Sequence, residues 1–313
     1  MSTATPTGDS ARPSPPPYRG RFAPSPSGPL HFGSLVAAVG SYLDARAHGG
    51  QWLLRIEDVD QPRTVAGAAD EILRTLEGFG FAWDGEVLVQ SRRLDLYHAA
   101  LVRLQLADEV YPCACSRAEI AAHSPRRSID GGLVYPGTCR EGLAGGRAAR
   151  AWRLRVPDQV IAFDDRIQGD VQQNLEAAVG DFILLRADGQ YAYQLAVVVD
   201  DAAQGITAVV RGVDLLDSTP RQIWLQQGLA LSTPTYAHLP VVTNDAGEKL
   251  SKQTHAAAVD LSAGSAVLAA ALRFLGHAVP QEISAGPLRD FWPWAIAAWS
   301  IARVPARRGV CPG

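Results

Sequence analysis

The stretch Arg21-Phe-Ala-Pro-Ser-Pro-Ser-Gly-Pro-Leu-His-Phe-Gly-Ser34 decides how the chain is read. An extended run ends near Ala23, and Pro24, Pro26 and Pro29 then fix φ and bar a helix. Helical patterning starts at Leu35 and runs through Val39, Tyr42 and Leu43 to a stop at Gly49-Gly50. The order is strand, stiff loop, helix N-terminus. Free backbone N–H groups and the macrodipole at such a terminus favour an anion. Gly33 lets a phosphate or a flat base lie close to the backbone, and His31 and Ser34 add donors. A nucleotide-phosphate site is predicted here.

Outward from this stretch, strands and helices alternate. Trp52-Leu-Leu-Arg-Ile reads as a strand with Glu57, Asp58 and Asp60 at its carboxyl end, where open α/β sheets bind ligands. For Asp58 or Asp60 alone, a solvated turn is an equal alternative. A helix over 65–79 and another from Ser91 to Leu106 follow, the second with a core stripe of Leu94, Tyr97, Leu101, Leu104 and Leu106. This alternation predicts parallel βαβ units and a Rossmann-like sheet.

The pattern breaks between Tyr111 and Arg140. Cys113-Ala-Cys115 and Tyr135-Pro-Gly-Thr-Cys139 place three of the four cysteines within 27 positions, in a segment poor in apolar residues. Thiolates prefer zinc, and a structural zinc site wants four ligands, so the spacing predicts a metal-stabilised insertion lacking one ligand. His123 and Tyr135 are the local candidates for the fourth, with histidine the better ligand on general chemistry.

Trp152-Arg-Leu-Arg-Val reads as a strand with outward arginines, and Val160-Ile-Ala-Phe as another. Asp181 to Arg186 and Tyr191 to Val199, joined by Asp188-Gly189, read as a hairpin, with Leu195 to Val199 a buried strand. Tyr193 at its beginning faces either a pocket or the core. A buried strand then ends at Arg211-Gly212, a guanidinium placed for a carboxylate or phosphate. Ser218-Thr-Pro opens a helix with a cap and a first-turn proline. Lys249-Leu-Ser-Lys252-Gln253 presents two lysines to a polyphosphate, and segments 266–275 and 291–304 read as helices.

Composition narrows the class. The 313 residues are 47% apolar and 19% charged with a net charge of −3, ordinary for a globular domain and unlike a protein that coats nucleic acid non-specifically. Four cysteines are too few for a disulfide scaffold at this length. Without a signal pattern or an apolar run of membrane-spanning length, a cytoplasmic protein is expected, and a monomer. No Gly-x-Gly-x-x-Gly follows a strand, which argues against a dinucleotide. Residues 1–18 are Pro/Ser/Thr-rich and read as a disordered tail.

Taken together, His31-Phe-Gly-Ser34 and Lys249-Leu-Ser-Lys252-Gln253 resemble, in order and in place, the two hallmark motifs of class I aminoacyl-tRNA synthetases. Arg21-Phe-Ala-Pro-Ser-Pro-Ser-Gly, Arg55-Ile-Glu-Asp, Ala196-Val-Val-Val-Asp-Asp and Val210-Arg-Gly narrow the resemblance, over about residues 19–275, to the glutamyl/glutaminyl branch. Only 60 residues follow Gln253, too few for the large anticodon-binding region of that branch, and with the Cys-x-Cys…Tyr…Cys insertion the chain resembles the glutamyl-Q tRNA(Asp) synthetase family. An ordinary glutamyl-tRNA synthetase fragment and a non-enzymatic tRNA-binding paralogue are the alternatives, the second opposed by the presence of His31, Glu57, Arg211 and Lys252.

The resemblance implies a Rossmann-like catalytic domain in two halves (19–110 and 157–255), a zinc-binding insertion (111–156) and a short helical C-terminal region (256–313) without an anticodon-binding domain. It implies activation of L-glutamate with ATP and Mg²⁺, without tRNA, and transfer to the queuosine at the wobble position of tRNA(Asp). Glutamate contacts fall on Arg21, Phe22, Ala23, Pro24, Ser25, Glu57, Tyr193 and Arg211. ATP contacts fall on His31, Gly33, Ser34, Lys249 and Lys252, with His31, Ser34 and Lys252 catalytic. The implied zinc ligands are Cys113, Cys115, Tyr135 and Cys139, in preference to His123. Two departures stand out: Ser34 occupies the place of a second histidine, and Gln253 that of a serine.

Overall fold

In the computed structural model, residues 17–124, 126–243 and 257–310 are described. The expected tail falls almost wholly outside them, as do Lys249, Lys252, Gln253 and Cys311. Tyr18, at the end of that expected tail, is packed: its ring stacks on His48 and its hydroxyl donates to the buried Asp44 carboxylate.

In chain order the elements are β1 (Arg19–Phe22), α1 (Phe32–Ala47), β2 (Gln51–Ile56), α2 (Ala68–Gly78), β3 (Leu88–Val89) and α3 (Leu94–Leu106). The cysteine-bearing part holds β4 (Val110–Cys113), α4 (Arg117–His123) and β5 (Ala151–Leu154). Then come β6 (Val160–Asp165), β7 (Gly169–Asn174), α5 (Leu175–Ala178), β8 (Phe182–Leu185), α6 (Tyr193–Ala203), β9 (Ala208–Gly212), α7 (Thr219–Gly228) and β10 (Thr235–Leu239). The chain closes through β11 (Val241–Val242), α8 (Ser265–Phe274), α9 (Gln281–Ala285), α10 (Leu288–Ala298) and β12 (Gly309–Val310).

The pairings β1–β2, β2–β3, β9–β10 and β10–β6 are all parallel, and β7 closes one edge antiparallel to β6. Thr207 N–H donates to the Arg19 carbonyl at 3.0 Å, joining the β1 side to the β9 side. The expected Rossmann-like parallel sheet is therefore present, with the ends of β1, β2, β9 and β10 at one rim. A second sheet, β4–β5–β8, is antiparallel and carries the cysteine segment.

α1 explains why this sheet forms. Leu35, Val39, Tyr42 and Leu43 are all buried, but so are Val36, Ala38, Gly40 and Ala45 on the other faces. The helix lies between the sheet and the C-terminal helices, where Leu268, Leu272, Phe291 and Trp292 share its core. A Cβ on Gly40 would stand 2.6 Å from Leu239 Cδ1, so glycine sets how closely α1 approaches β10. A second core under the other face joins Tyr97, Leu101 and Leu104 of α3 to Leu195, Val197 and Val198 of α6 and to Ile223 and Leu225 of α7.

Two sequence readings are corrected here. Asp188-Gly189 does turn the chain, with Gly189 at φ +80° and a single antiparallel bridge from Leu185 to Tyr191. The expected second strand is instead helix α6. Its apolar run is buried on nearly all sides, so no face period separates helix from strand, and β-branched valines tip the local reading the wrong way. Ser218 precedes α7 with Pro220 in the first turn, but makes no side-chain cap; its Oγ accepts from Gln194 Nε2 and Arg221 Nη2 at 3.2 Å each.

Candidate active site and cysteine cluster

One cavity of about 890 Å³ opens at the rim where the parallel strands end. Open α/β sheets bind ligands at this place, because side chains leaving several strand ends converge there. Every described glutamate or ATP residue named from the sequence lines it: Arg21, Phe22, Ala23, Pro24, Ser25, His31, Gly33, Ser34, Glu57, Tyr193 and Arg211. They come from the β1–α1 loop, the end of β2, the start of α6 and the end of β9.

On one wall the charges form a buried grid. Asp201 Oδ1 accepts from Arg21 Nε at 3.1 Å and from Arg55 Nη2 at 2.7 Å. Arg55 also contacts Glu57 through Nε at 3.3 Å and donates to Gln204 Oε1 at 2.7 Å. Burial raises the Asp201 carboxyl, but the two guanidiniums outweigh it and hold its pKa below the usual value. Glu57 goes the other way: burial pushes its carboxyl up despite the pull of Arg55 and Arg21. Glu57 N–H donates to the Pro24 carbonyl at 3.0 Å, tying the β2 end to the proline loop.

Further along the same rim, near the end of β9, stands Arg211, 5% exposed. Its Nη2 donates to Thr219 Oγ1 at 2.8 Å, its Nε to His238 Nε2 at 3.1 Å, and its Nη1 approaches the Tyr193 hydroxyl at 3.5 Å. Tyr193 thus faces the pocket, and burial raises the pKa of its phenol. Sequence reasoning assigned no part to Arg55, Asp201, His238 or Thr219. The available signal was the placement of charge inside apolar runs, as in Leu-Leu-Arg-Ile and Val-Val-Val-Asp-Asp, which requires a buried partner.

The residues expected from the sequence to meet phosphate stand at the α1 N-terminus. His31 caps it: its carbonyl accepts from Leu35 N–H at 2.9 Å, its Nδ1 from Ser34 N–H at 3.3 Å, and Nε2 lies 3.0 Å from Ser34 Oγ. Ala258 bridges to His31, and Val241 and Val242 line the cavity. Of the two aspartates after β2, Asp60 lines the cavity and pairs with Arg63, whereas Asp58 accepts from Ser91 N–H and Oγ at 2.8 and 2.7 Å and serves the entry to α3.

Cys113, Cys115 and Cys139 converge, their sulfurs all within 4.8 Å of one another, in a small core of their own with Tyr111 and Tyr135. The Tyr135 hydroxyl lies 3.4 Å from Cys113 Sγ and 3.5 Å from Cys115 Sγ, and Cys115 and Cys139 are 3.5 Å apart. A tetrahedron with zinc–sulfur bonds of about 2.3 Å has edges of about 3.8 Å, so the donor set and its size fit zinc. His123 is outside the cluster; its Nδ1 lies 2.7 Å from its own helix's Glu119 carbonyl.

The expected outward arginines of β5 are corrected: Arg153 is buried. It donates to Cys113 Sγ at 3.3 Å and to the Asp181 carbonyl at 2.8 Å, and its guanidinium lies 3.8 Å from the Tyr135 ring centre. Arg140 is tied to Asp181 by a bidentate pair and Arg93 to Asp200, so these arginines, like Arg153, hold the fold.

Comparison with known proteins agrees with this fold. Residues 18–272 match the model of the class I tRNA synthetases for glutamate and glutamine, catalytic domain. The chain is 65% identical over 289 residues to the glutamyl-Q tRNA(Asp) synthetase of Dechloromonas aromatica, covering 92% of this chain and 96% of that one. It is 62% identical over 290 residues to the same-named protein of Aromatoleum aromaticum, covering 93% and 91%. Its fold superposes on the glutamate-tRNA synthetase of Elizabethkingia anophelis with a TM-score of 0.78 at 24% identity, over 94% of this chain and 68% of that one. The chain is a ligase that belongs to the class I glutamyl and glutaminyl tRNA synthetases and, within them, to the glutamyl-Q tRNA(Asp) synthetase family.

Proposed function

We propose that the protein activates L-glutamate with ATP in the absence of tRNA and transfers it to the queuosine of tRNA(Asp). The observation that carries this reading is the single cavity lined by two buried arginines, Arg21 near the end of β1 and Arg211 near the end of β9, beside a helix N-terminus. Two carboxylates distinguish glutamate from glutamine, and guanidinium forks grip carboxylates in a way an amide cannot repay. Glu57 accepts from the substrate ammonium, and Tyr193 donates beside Arg211.

In adenylation the substrate α-carboxylate attacks the ATP α-phosphate and pyrophosphate leaves. Charge builds on phosphate oxygens, so positioning and cations supply most of the catalysis. His31, Gly33 and Ser34 meet the phosphates at the α1 N-terminus, and Mg²⁺ arrives with ATP. Lys252, with Lys249 beside it, neutralises the leaving pyrophosphate. Zinc held by Cys113, Cys115, Tyr135 and Cys139 is structural: four protein ligands leave no position for water. The relatives named for glutamyl-Q tRNA(Asp) support the choice of tRNA.

Glutamate-dependent exchange of labelled pyrophosphate into ATP, run without tRNA, tests the first step; exchange that needs added tRNA would refute it. Charging assays with queuosine-containing tRNA(Asp) and with tRNA(Glu) test the second. Stable loading of tRNA(Glu) and none of tRNA(Asp) would sink the transfer assignment.

A further inference from the structure

Arg21 and Arg211 are anchored by different chemistry. Arg21 leans on a carboxylate, Asp201, which it shares with Arg55. Arg211 leans on an imidazole. His238 lies directly across from it in the parallel β9–β10 ladder, fully buried, and its Nε2 takes the Arg211 Nε–H at 3.1 Å. On its other side His238 Nδ1 meets the buried Asp165 Oδ2 at 2.5 Å. Asp165 is itself fixed, its Oδ1 accepting backbone N–H groups from Ile167, Gln168 and His238 at 2.9–3.1 Å.

The Arg211 contact fixes the tautomer of the ring. A guanidinium has only donors, so His238 Nε2 is the acceptor. Nδ1 then carries the proton and donates a hydrogen bond to the Asp165 carboxylate. Thr219 Oγ1 accepts from Arg211 Nη2 at 2.8 Å and lies 3.2 Å from His238 Nε2 and 3.4 Å from the Leu215 carbonyl, both acceptors for its own proton.

We propose that Asp165 and His238 form a positioning relay that orients Arg211 through a neutral acceptor and so leaves the guanidinium charge to the substrate carboxylate. A carboxylate in the place of His238 would also orient Arg211, but would compete with glutamate for the same charge. The ring moves the compensating anion one residue further away. This inference rests on the reading of Arg211 as a glutamate contact.

Pyrophosphate exchange by the full-length protein, with glutamate and ATP varied separately, tests it. His238→Ala should raise the KM for glutamate on the order of tenfold, as expected for losing a bond to a charged group, with the KM for ATP within about twofold. His238→Gln, whose amide oxygen can accept from Arg211 Nε, should recover most of the loss. Asp165→Asn should raise the glutamate KM several-fold. Arg211→Ala serves as the reference. If Arg211→Ala leaves the glutamate KM unchanged, the substrate reading itself fails. If it raises that KM while His238→Ala and Asp165→Asn do not, only the relay is overturned. Should the alanine variant not fold, ¹⁵N NMR of imidazole-labelled unsubstituted protein decides: the Nδ1–H tautomer at neutral pH supports the relay, and the Nε2–H tautomer overturns it.

Discussion

The substrate cavity and the cysteine cluster hold their functional groups in opposite ways. The cavity stands at the rim of a parallel sheet with an extensive hydrophobic core on each side, and its charged groups are set by buried partners. The cysteine segment has a core of only Tyr111, Cys113, Tyr135 and Cys139, with Cys115, Ile120 and Leu143 packed against it. So small an apolar cluster offsets little of the entropy of ordering the segment, and a metal held by its thiolates would supply what that core lacks. In the cavity the fold places the charged groups; in the cluster a bound metal would help hold the fold.

The largest break in this comparison should come from Arg211→Ala. Removing one partner of a buried charge-assisted network typically costs about 3–5 kcal/mol, so kcat/KM for glutamate in pyrophosphate exchange should fall between about two hundredfold and several thousandfold. Bound zinc, read by elemental analysis, should be unaffected. Cys139→Ser inverts the pattern. Metal content should fall well below one zinc per chain and limited proteolysis should open segment 113–150, while glutamate-dependent exchange without tRNA should lose less than in Arg211→Ala. Unchanged metal content would remove the cluster from the account.

Asp201→Asn probes whether the cavity grid is structural as well as functional. Arg21 and Arg55 would lose a shared carboxylate in a buried setting, so unfolding in urea should show a loss of about 3 kcal/mol together with a raised KM for glutamate. Acid sensitivity should also belong to the cavity. Burial, with Arg211 nearby and despite the Asp165 bond, pushes His238 down to about 4 from an ordinary value near 6.5. In that window the unfolded chain binds a proton that the native chain refuses. This contribution is therefore complete above pH 6.5 and is lost as pH falls toward 4, up to about 3 kcal/mol. Asp165, held below its usual value by His238 and its backbone donors against the burial that raises it, acts in the same direction at still lower pH. Urea titrations at pH 7 and pH 5 should differ by more in the wild type than in His238→Gln, the rest belonging to groups such as His277, which burial also pushes down. The smallest effect is expected for Tyr193→Phe, which removes a hydroxyl 3.5 Å from Arg211 Nη1: a several-fold rise in glutamate KM and no change in zinc.

Much of the sheet could be read from local pattern because its signals are local. Prolines 24, 26 and 29 forbid a helix just before the α1 stripe, and Arg211-Gly212 ends an apolar run at the sheet rim. α6 could not be read this way. Tyr193 to Ala203 is buried nearly all round, and an apolar run with no polar face carries no period. The hairpin expected from Asp188-Gly189 is right in its first strand, β8, and in its turn, and wrong only in its second strand.

The sequence by itself determined which chemical groups are present and in what order: the His-x-Gly-Ser helix entry, the arginines and glutamate, the three cysteines and the tyrosine. Those are covalent facts with local consequences for φ, helix start and charge. Tertiary structure alone decided that Asp201, 180 residues from Arg21, neutralises it. It also decided that Arg153 turns inward over Tyr135, and that His238 stands between Asp165 and Arg211. Each depends on strand register and on helix α6 being a helix. A one-residue slip in β9 against β10 would leave Arg211 facing a different residue, and no pattern within either strand records that register.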